Sequence, residues 1–207
     1  MVRSKRRIDF DSLAASDCYK IASGLIVPRP IGWIGTVDAA GIPNLAPYSF
    51  FNLVAADPPT FVIGPGLSSR KDTLANLLQT QEFTVNLVTE EVFEAMNMTA
   101  DSYPAEENEF DIAGLTAVAS DTVAAPCVGE AKASFECRVI HTMPVGRPRG
   151  GAQASTMLVV GESLTAHVDN EILEGTRVDQ AALKAVGRHA GHWYSFSAEA
   201  LRSLERP

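Results

Sequence analysis

Along most of the chain, apolar residues alternate with polar ones or gather in short β-branched and aromatic blocks. Such blocks occupy residues 24–26, 31–38, 43–52, 60–64, 83–87, 133–143 and 156–168 and are bounded by Gly, Pro, Asn or Asp, the pattern of strands. Asp38-Ala39-Ala40-Gly41 reads as a turn in which Gly41 supplies a positive φ, so residues 31–52 are expected to form one hairpin. Helical spacing is confined to residues 11–19, 73–80, 90–98 and 179–185. Asp72 or Thr73 is placed to cap the second of these, leaving its first backbone N–H groups open to an anion. Strands of uneven length with a few short helices predict a mainly β fold, a closed or partly closed antiparallel barrel in preference to a doubly wound sheet. No Gly-x-Gly-x-x-Gly follows a strand, which argues against a Rossmann dinucleotide site.

The pattern weakens over residues 100–126. Residues 102–111 are acidic and rich in turn formers, so they read as a surface excursion able to cover a site. Residues 145–151 read as a plain hairpin tip, the alternative being that Arg147 and Arg149 clamp a pyridine-nucleotide phosphate. With no internal repeat and no linker, residues 1–207 are expected to form one domain, residues 1–10 being a flexible N-terminal extension.

Composition narrows the classes. A chain of 207 residues that is 46% hydrophobic and 20% charged can bury a substantial core. A formal net charge of −8 argues against nucleic acid as a partner, the only locally basic stretch lying at residues 3–7. No apolar run approaches the roughly eighteen residues that cross a bilayer, and no apolar region follows the basic N-terminus, so a cytoplasmic protein without a membrane partner is expected. Cys18, Cys127 and Cys137 are odd in number and lack a Cys-x-x-Cys spacing; all three read as small hydrophobic residues.

Two segments carry candidate chemistry. Asn44-Leu45-Ala46-Pro47-Tyr48-Ser49-Phe50-Phe51-Asn52 sets aromatics beside hydroxyl and amide groups on a stretch that Pro47 keeps out of a helix interior, a surface for a flat apolar ligand. Ser68-Ser69-Arg70-Lys71-Asp72-Thr73 combines hydroxyls, two cations and a helix start, which suits a terminal phosphate and equally suits a solvated turn. Other chemistries find less support. His189 and His192 are three apart but lie between Gly187 and Gly191 and lack a further ligand, so no metal site is expected; Gly-x-Ser-x-Gly is absent; and the paired acids Glu90-Glu91 and Glu106-Glu107 read as solvated faces.

Preceding these segments is Val27-Pro28-Arg29-Pro30-Ile31-Gly32-Trp33-Ile34-Gly35-Thr36-Val37-Asp38. With Asp57-Pro58-Pro59, Lys71-Asp72-Thr73 and Asn76, the strand at residues 83–88, and a late Val186-Gly187-Arg188 followed by Tyr194, the chain resembles the flavin reductase-like family of FMN-binding split barrels. That group includes flavoredoxin and the reductase components of two-component flavin monooxygenases. The resemblance runs from about Tyr19 to Tyr194 and implies an antiparallel, Greek-key split β-barrel with a few short helices.

It also implies site residues. Pro30, Ile31 and Trp33 would lie against the isoalloxazine, although the pattern around Trp33 equally fits a core residue. Ala46, Pro47, Tyr48, Ser49 and Phe50 would edge the ring, backbone N–H groups and the Ser49 hydroxyl meeting its carbonyls and N5. Ser69, Arg70, Lys71, Asp72 and Thr73 would hold ribityl and phosphate oxygens, Lys71 as point charge and Asp72 as cap or ribityl acceptor. The family places its flavin at a homodimer interface, so Arg188 and Tyr194 would reach the flavin of the other subunit; here His189 and Ala190 follow Arg188 where relatives commonly have an apolar residue and glycine.

The activity implied is an NAD(P)H-dependent flavin reductase in which NADH or NADPH passes hydride to flavin N5, the reduced FMN then serving a partner monooxygenase or donating electrons in place. No general acid or base is demanded, so no catalytic residue is assigned. Two alternatives stay open: an FMN-holding electron carrier or sensor without nicotinamide turnover, and a split barrel binding another cofactor such as haem or F420.

Overall fold

The computed structural model describes residues 3–67, 72–104, 106–146 and 153–204. Its helices are α1 (Ala15–Leu25), α2 (Asp72–Thr80), α3 (Phe93–Met98), α4 (Glu109–Ile112) and α5 (Gln180–Leu183). Its strands are β1 (Arg29–Pro30), β2 (Gly32–Val37), β3 (Pro43–Tyr48), β4 (Phe51–Ala56), β5 (Pro59–Ile63), β6 (Glu82–Leu87), β7 (Ala117–Val118), β8 (Cys127–Val128), β9 (Ala133–Val145), β10 (Thr156–Val168), β11 (Leu173–Glu174), β12 (Arg177–Val178), β13 (Val186–Arg188) and β14 (Tyr194–Phe196). Seven of them form one antiparallel sheet in the order β3-β2-β6-β9-β10-β5-β4. The two edge strands, β3 and β4, are consecutive in the chain and separated only by Ser49 and Phe50, so the chain itself joins the sheet's edges. At the seam the Phe51 ring fills the notch left by Gly32, where an added Cβ would lie 2.6 Å from the ring.

Two apolar cores flank β2, which is buried at every position. Ile34 points into the barrel with Phe61, Ile63, Phe83, Val85 and Val159; Ile31 and Trp33 point the other way, into a second core with Leu45, Val92, Met96 and Phe110. Period-two alternation is present in β2 but carries no polarity contrast, because α3 and α4 cover its outer face.

Several expected elements shift. Residues 24–26 are not a strand: α1 begins at Ala15 and runs through Leu25, and residues 10–12 form a separate 3-10 turn capped by the Asp9 carboxylate, which accepts the Asp11 N–H. Arg29 explains where α1 stops. Its guanidinium is buried and donates to the Ser23 and Ile26 carbonyls at the helix end, at 2.5 and 2.8 Å, and to the His189 carbonyl at 3.2 Å. Cationic donors on the last carbonyls of a helix satisfy its orphan acceptors and its dipole together. The expected strand at 43–52 is two strands, because closure of the sheet turns the chain at Ser49 and Phe50. The helix expected at 90–98 starts as a 3-10 turn, Glu90–Val92, before α3. That expected at 179–185 shrinks to α5, capped by Asp179 and ended by Lys184 at φ 53. The turn at Asp38 forms as expected, with Gly41 at φ 86 and the Asp38 carboxylate accepting from the Ala40 and Ile42 N–H groups.

Candidate functional site

β3 is a sheet edge, so one side of its backbone is left without a strand partner. Against that side lie the first turn of α2, α4, and the segment 99–103, enclosing a cleft of about 90 Å³. The cleft is lined by Asn44, Ala46, Pro47, Tyr48, Asp72, Thr73 and Glu109 together with residues 99–103. Five of the residues expected from sequence, Ala46, Pro47, Tyr48, Asp72 and Thr73, therefore meet in one place.

Hydrogen bonds organise this cleft. Thr73 Oγ1 donates to Asn44 Oδ1 at 2.8 Å, and Asn44 Nδ2 donates to Glu109 Oε1 at 2.8 Å. Glu109 Oε2 accepts the N–H of Leu45 at 3.1 Å. The backbone of β3 consequently offers few donors here: the outward N–H of Leu45 is engaged, and the next outward position is Pro47, which has none. On this side of β3 the outward carbonyls are those of Leu45 and Pro47, so the expected backbone N–H contacts to a flavin are not offered by Ala46 or Pro47. Asp72 and Thr73 lie within α2, so neither precedes it as a cap, and the Thr73 hydroxyl is engaged by Asn44.

Charge in the cleft is acidic. Burial raises the Tyr48 hydroxyl to about 12 against a hydrogen bond with Thr73, and the carboxylates of Asp72 and Glu109 add to the rise. Burial also raises the Glu109 carboxyl, partly offset by the Leu45 N–H and Asn44. Among its described lining residues the cleft has no Lys or Arg. Ser69, Arg70 and Lys71, which directly precede Asp72, lie outside the described residues, as do Arg147 and Arg149.

The other expected residues stand elsewhere. Trp33 is wholly buried in the second core, with its indole N–H donated to Thr99 Oγ1 at 2.8 Å, and Ile31 is 5% exposed in the same core. Neither has a face to offer a ring, which corrects their expected place in the cofactor wall: β2 is covered on both sides. Pro30, Ser49 and Phe50 line a separate, largely apolar groove of about 740 Å³ beneath α1, and Ser49 Oγ accepts from Arg29 Nε at 3.3 Å. Arg188 and Tyr194 line a third cleft of about 520 Å³ with Phe93, Met98 and His192, the guanidinium stacked 4.4 Å over its own Tyr194 ring. Within one chain these two do not meet the β3 cleft. His189 and His192 fall at the β13–β14 turn, in no helix.

Residues 24–183 match the model of the flavin reductase like domain. The chain belongs to the flavin reductase-like family. An uncharacterized protein of Aquifex aeolicus (strain VF5) is 43% identical over 182 residues, which cover 85% of this chain and 88% of that protein. The structure of nitrilotriacetate monooxygenase component B from Bacillus cereus is 32% identical and superposes with a TM-score of 0.91 over 98% of this chain and 100% of that one. Flavoredoxin of Desulfovibrio vulgaris (Miyazaki F), 21% identical, shares the fold with a TM-score of 0.74 over 97% of each chain. The architecture is thus the split barrel of this flavin reductase-like family. At the family level the chain is a flavin reductase-type oxidoreductase, with a flavin as cofactor or substrate. Among the described residues no helix is long and apolar enough to cross a membrane.

The excursion expected at residues 102–111 does reach the cleft, through Ser102, Tyr103 and Glu109, but the sequence does not single out Glu109 as its inward member, the role of Asn44, or residues 99–101. Glu109 had one legible signal: Asn108-Glu109-Phe110 begins with a capping residue followed by an apolar one, and Asn108 Oδ1 does accept the Phe110 N–H at 3.0 Å.

Proposed function

We propose that the chain is a homodimeric, FMN-binding flavin reductase that uses NADH or NADPH and serves a partner monooxygenase. The observation that carries this reading is the meeting of Ala46, Pro47 and Tyr48 with Thr73 at the start of α2, two stretches far apart in sequence gathered at one sheet edge. The edge would hold the flat ring, and Thr73 with Ser69, Arg70 and Lys71 the phosphate end. A cleft of about 90 Å³ receives only part of a flavin, so the remainder would project outward and be covered by a second copy. Apolar exposure suits such a copy: Leu53 and Val54 on β4 are 52% and 56% exposed, and Leu25 and Ile26 at the end of α1 are 74% and 68% exposed. Arg188 and Tyr194, stacked in a cleft of their own, would then face the neighbour's flavin.

Bound FMN would supply the hydride-accepting chemistry, with N5 as acceptor. The chain's own residues would fix the ring edge, exclude water and balance charge, and none is required to move a proton. The likeness to nitrilotriacetate monooxygenase component B favours reduced flavin passing to a monooxygenase. The test is a titration of the purified protein with FMN followed by steady-state oxidation of NADH and NADPH with added FMN. Saturable flavin binding with nucleotide consumption is expected. Tight binding without consumption would identify an electron carrier, and a Soret band in the isolated protein would identify a haem protein.

A further inference from the structure

Glu109 lies in a stretch whose composition suggests solvent, yet it is 7% exposed. α4 turns it inward, and both its oxygens are engaged: Oε1 by Asn44 Nδ2 at 2.8 Å and Oε2 by the Leu45 N–H at 3.1 Å. The opposite end of the same amide, Asn44 Oδ1, accepts from Thr73 Oγ1 at 2.8 Å and Thr36 Oγ1 at 3.3 Å, and Asn76 Nδ2 donates to Thr36 Oγ1 at 3.1 Å. A continuous buried chain of side chains therefore runs from α4 through β3 to α2 and β2. Its centre, Asn44, has donor and acceptor ends that are not interchangeable: the NH₂ must face the carboxylate and the carbonyl must face the hydroxyls.

The arrangement fixes two things, the second together with the hydrogen bond between Tyr48 and Thr73. It ties the free side of the edge strand just before Ala46, where β3 has no neighbouring strand, and it sets the spacing between that strand and Thr73 at the start of α2. A surface carboxylate would have sufficed for an exposed loop; a buried one must be held by donors to be tolerated there.

We propose that Glu109 is a positioning residue of the flavin site, acting through Asn44 and the Leu45 N–H to hold the ring-bearing edge of β3 at a set distance from the phosphate-bearing turn of α2. This rests on the reading of the cleft as the flavin site. Glu109 itself touches no flavin atom in this role. It supplies two acceptor oxygens to two donors, which an amide in its place would not.

The test is a swap. In Glu109→Gln one donor meets another, at Asn44 Nδ2 or at the Leu45 N–H; in Asn44→Asp two carboxylates face each other. In the double variant E109Q/N44D the pattern is restored in mirror form: the carboxylate now on β3 accepts from the new amide and from both threonines, while the amide oxygen on α4 accepts from Leu45. FMN dissociation constants are measured by quenching of flavin fluorescence, at a temperature where circular dichroism shows each protein fully folded. Each single variant should bind FMN about ten- to a hundredfold more weakly, the effect of one mispaired buried group, and the double variant should return to within about threefold of the parent. Singles that bind like the parent, or a folded double variant as weak as the singles, would overturn the proposal while leaving the flavin reading intact. A parent chain that binds no FMN removes both. Should a single variant fail to fold, a folded double variant still decides by its affinity.

Discussion

The indole N–H of Trp33 donates to Thr99 Oγ1 at 2.8 Å, and the Thr99 hydroxyl donates in turn to the Met96 carbonyl at 2.9 Å. Trp33 stands on β2 and Thr99 just after α3, at the start of the segment that forms one lip of the β3 cleft. The tryptophan thus supports the cleft from behind, through a hydroxyl whose donor and acceptor capacities are both used.

Replacing Trp33 should therefore be a stability event first. Trp33→Ala should lower unfolding free energy by about 3–5 kcal/mol, the range for a large aromatic removed from a packed core. Trp33→Phe keeps most of the volume and loses the bond to Thr99, so it should cost less, about 1–3 kcal/mol. Urea denaturation of both in a Trp193→Phe background measures this. An alanine variant that melts like its parent but loses flavin would return Trp33 to the cofactor wall.

Glu136 gives the fold an acid-sensitive latch. The side chain is fully buried on β9; burial alone would raise its pKa, but the Thr122 hydroxyl, the Asp121 N–H, His167 Nε2 and the Thr122 N–H outweigh that and hold it down to about 2 from 4.5. A depressed folded-state pKa adds stability above the unfolded value, and that contribution is lost as pH falls from about 4.5 toward 2. The segment around residues 120–122 should come loose in this window. Glu136→Gln should lose on the order of 3 kcal/mol at neutral pH and show a flatter fall in Tm between about pH 5 and 3 than the parent. Parallel Tm curves for the two proteins would show that Glu136 does not carry the effect.

Close packing at Gly35 sets a second limit. An alanine Cβ there would press on the Thr84 hydroxyl and lie 2.7 Å from the backbone carbonyl of Pro126, which cannot swing away as a long side chain would. Gly35→Ala should destabilise by about 1–3 kcal/mol. Chemical denaturation checks it, and an unchanged midpoint would mean that the segment at Pro126 yields freely.

The acidity of the cleft makes the residues preceding α2 decisive for an anionic ligand. With Asp72 and Glu109 in its walls and no cation among its described lining residues, the proposed phosphate site depends on Arg70 and Lys71 for its attraction. Lys71→Ala should weaken FMN by about tenfold or more while leaving riboflavin within about twofold, since a charge-assisted contact is lost on one ligand only. Isothermal titration with both ligands measures the ratio, and equal losses would move Lys71 away from the phosphate.

Much of this was legible in the order of blocks along the chain, and the failures have physical reasons. The strands at 31–38, 83–87, 133–143 and 156–168 appear close to where period and turn residues put them, because each has at least one side whose burial the composition records. Trp33 was undecidable because β2 is buried on both faces, which erases the contrast that alternation relies on. The break after Tyr48 follows from sheet closure, a tertiary demand that an apolar run such as Tyr48-Ser49-Phe50-Phe51 does not announce. Arg29 belongs to a motif whose sequence does not show that its buried guanidinium, set among carbonyls, is what ends α1. Glu109 was hidden by its neighbours: four of the six residues 106–111 are acidic, and only the fold turns one of them inward.

The carbonyl-only edge of β3 has a consequence for the protein's life in a crowded solution. A sheet edge with alternating free N–H and C=O groups invites the edge of another molecule to add as a strand, the first step toward aggregation. Here Pro47 removes one donor and the Glu109 carboxylate occupies another, so the carbonyls of an incoming strand would find no donor at Leu45 or Pro47. The cleft can stay open to a small ligand without serving as a template for other chains.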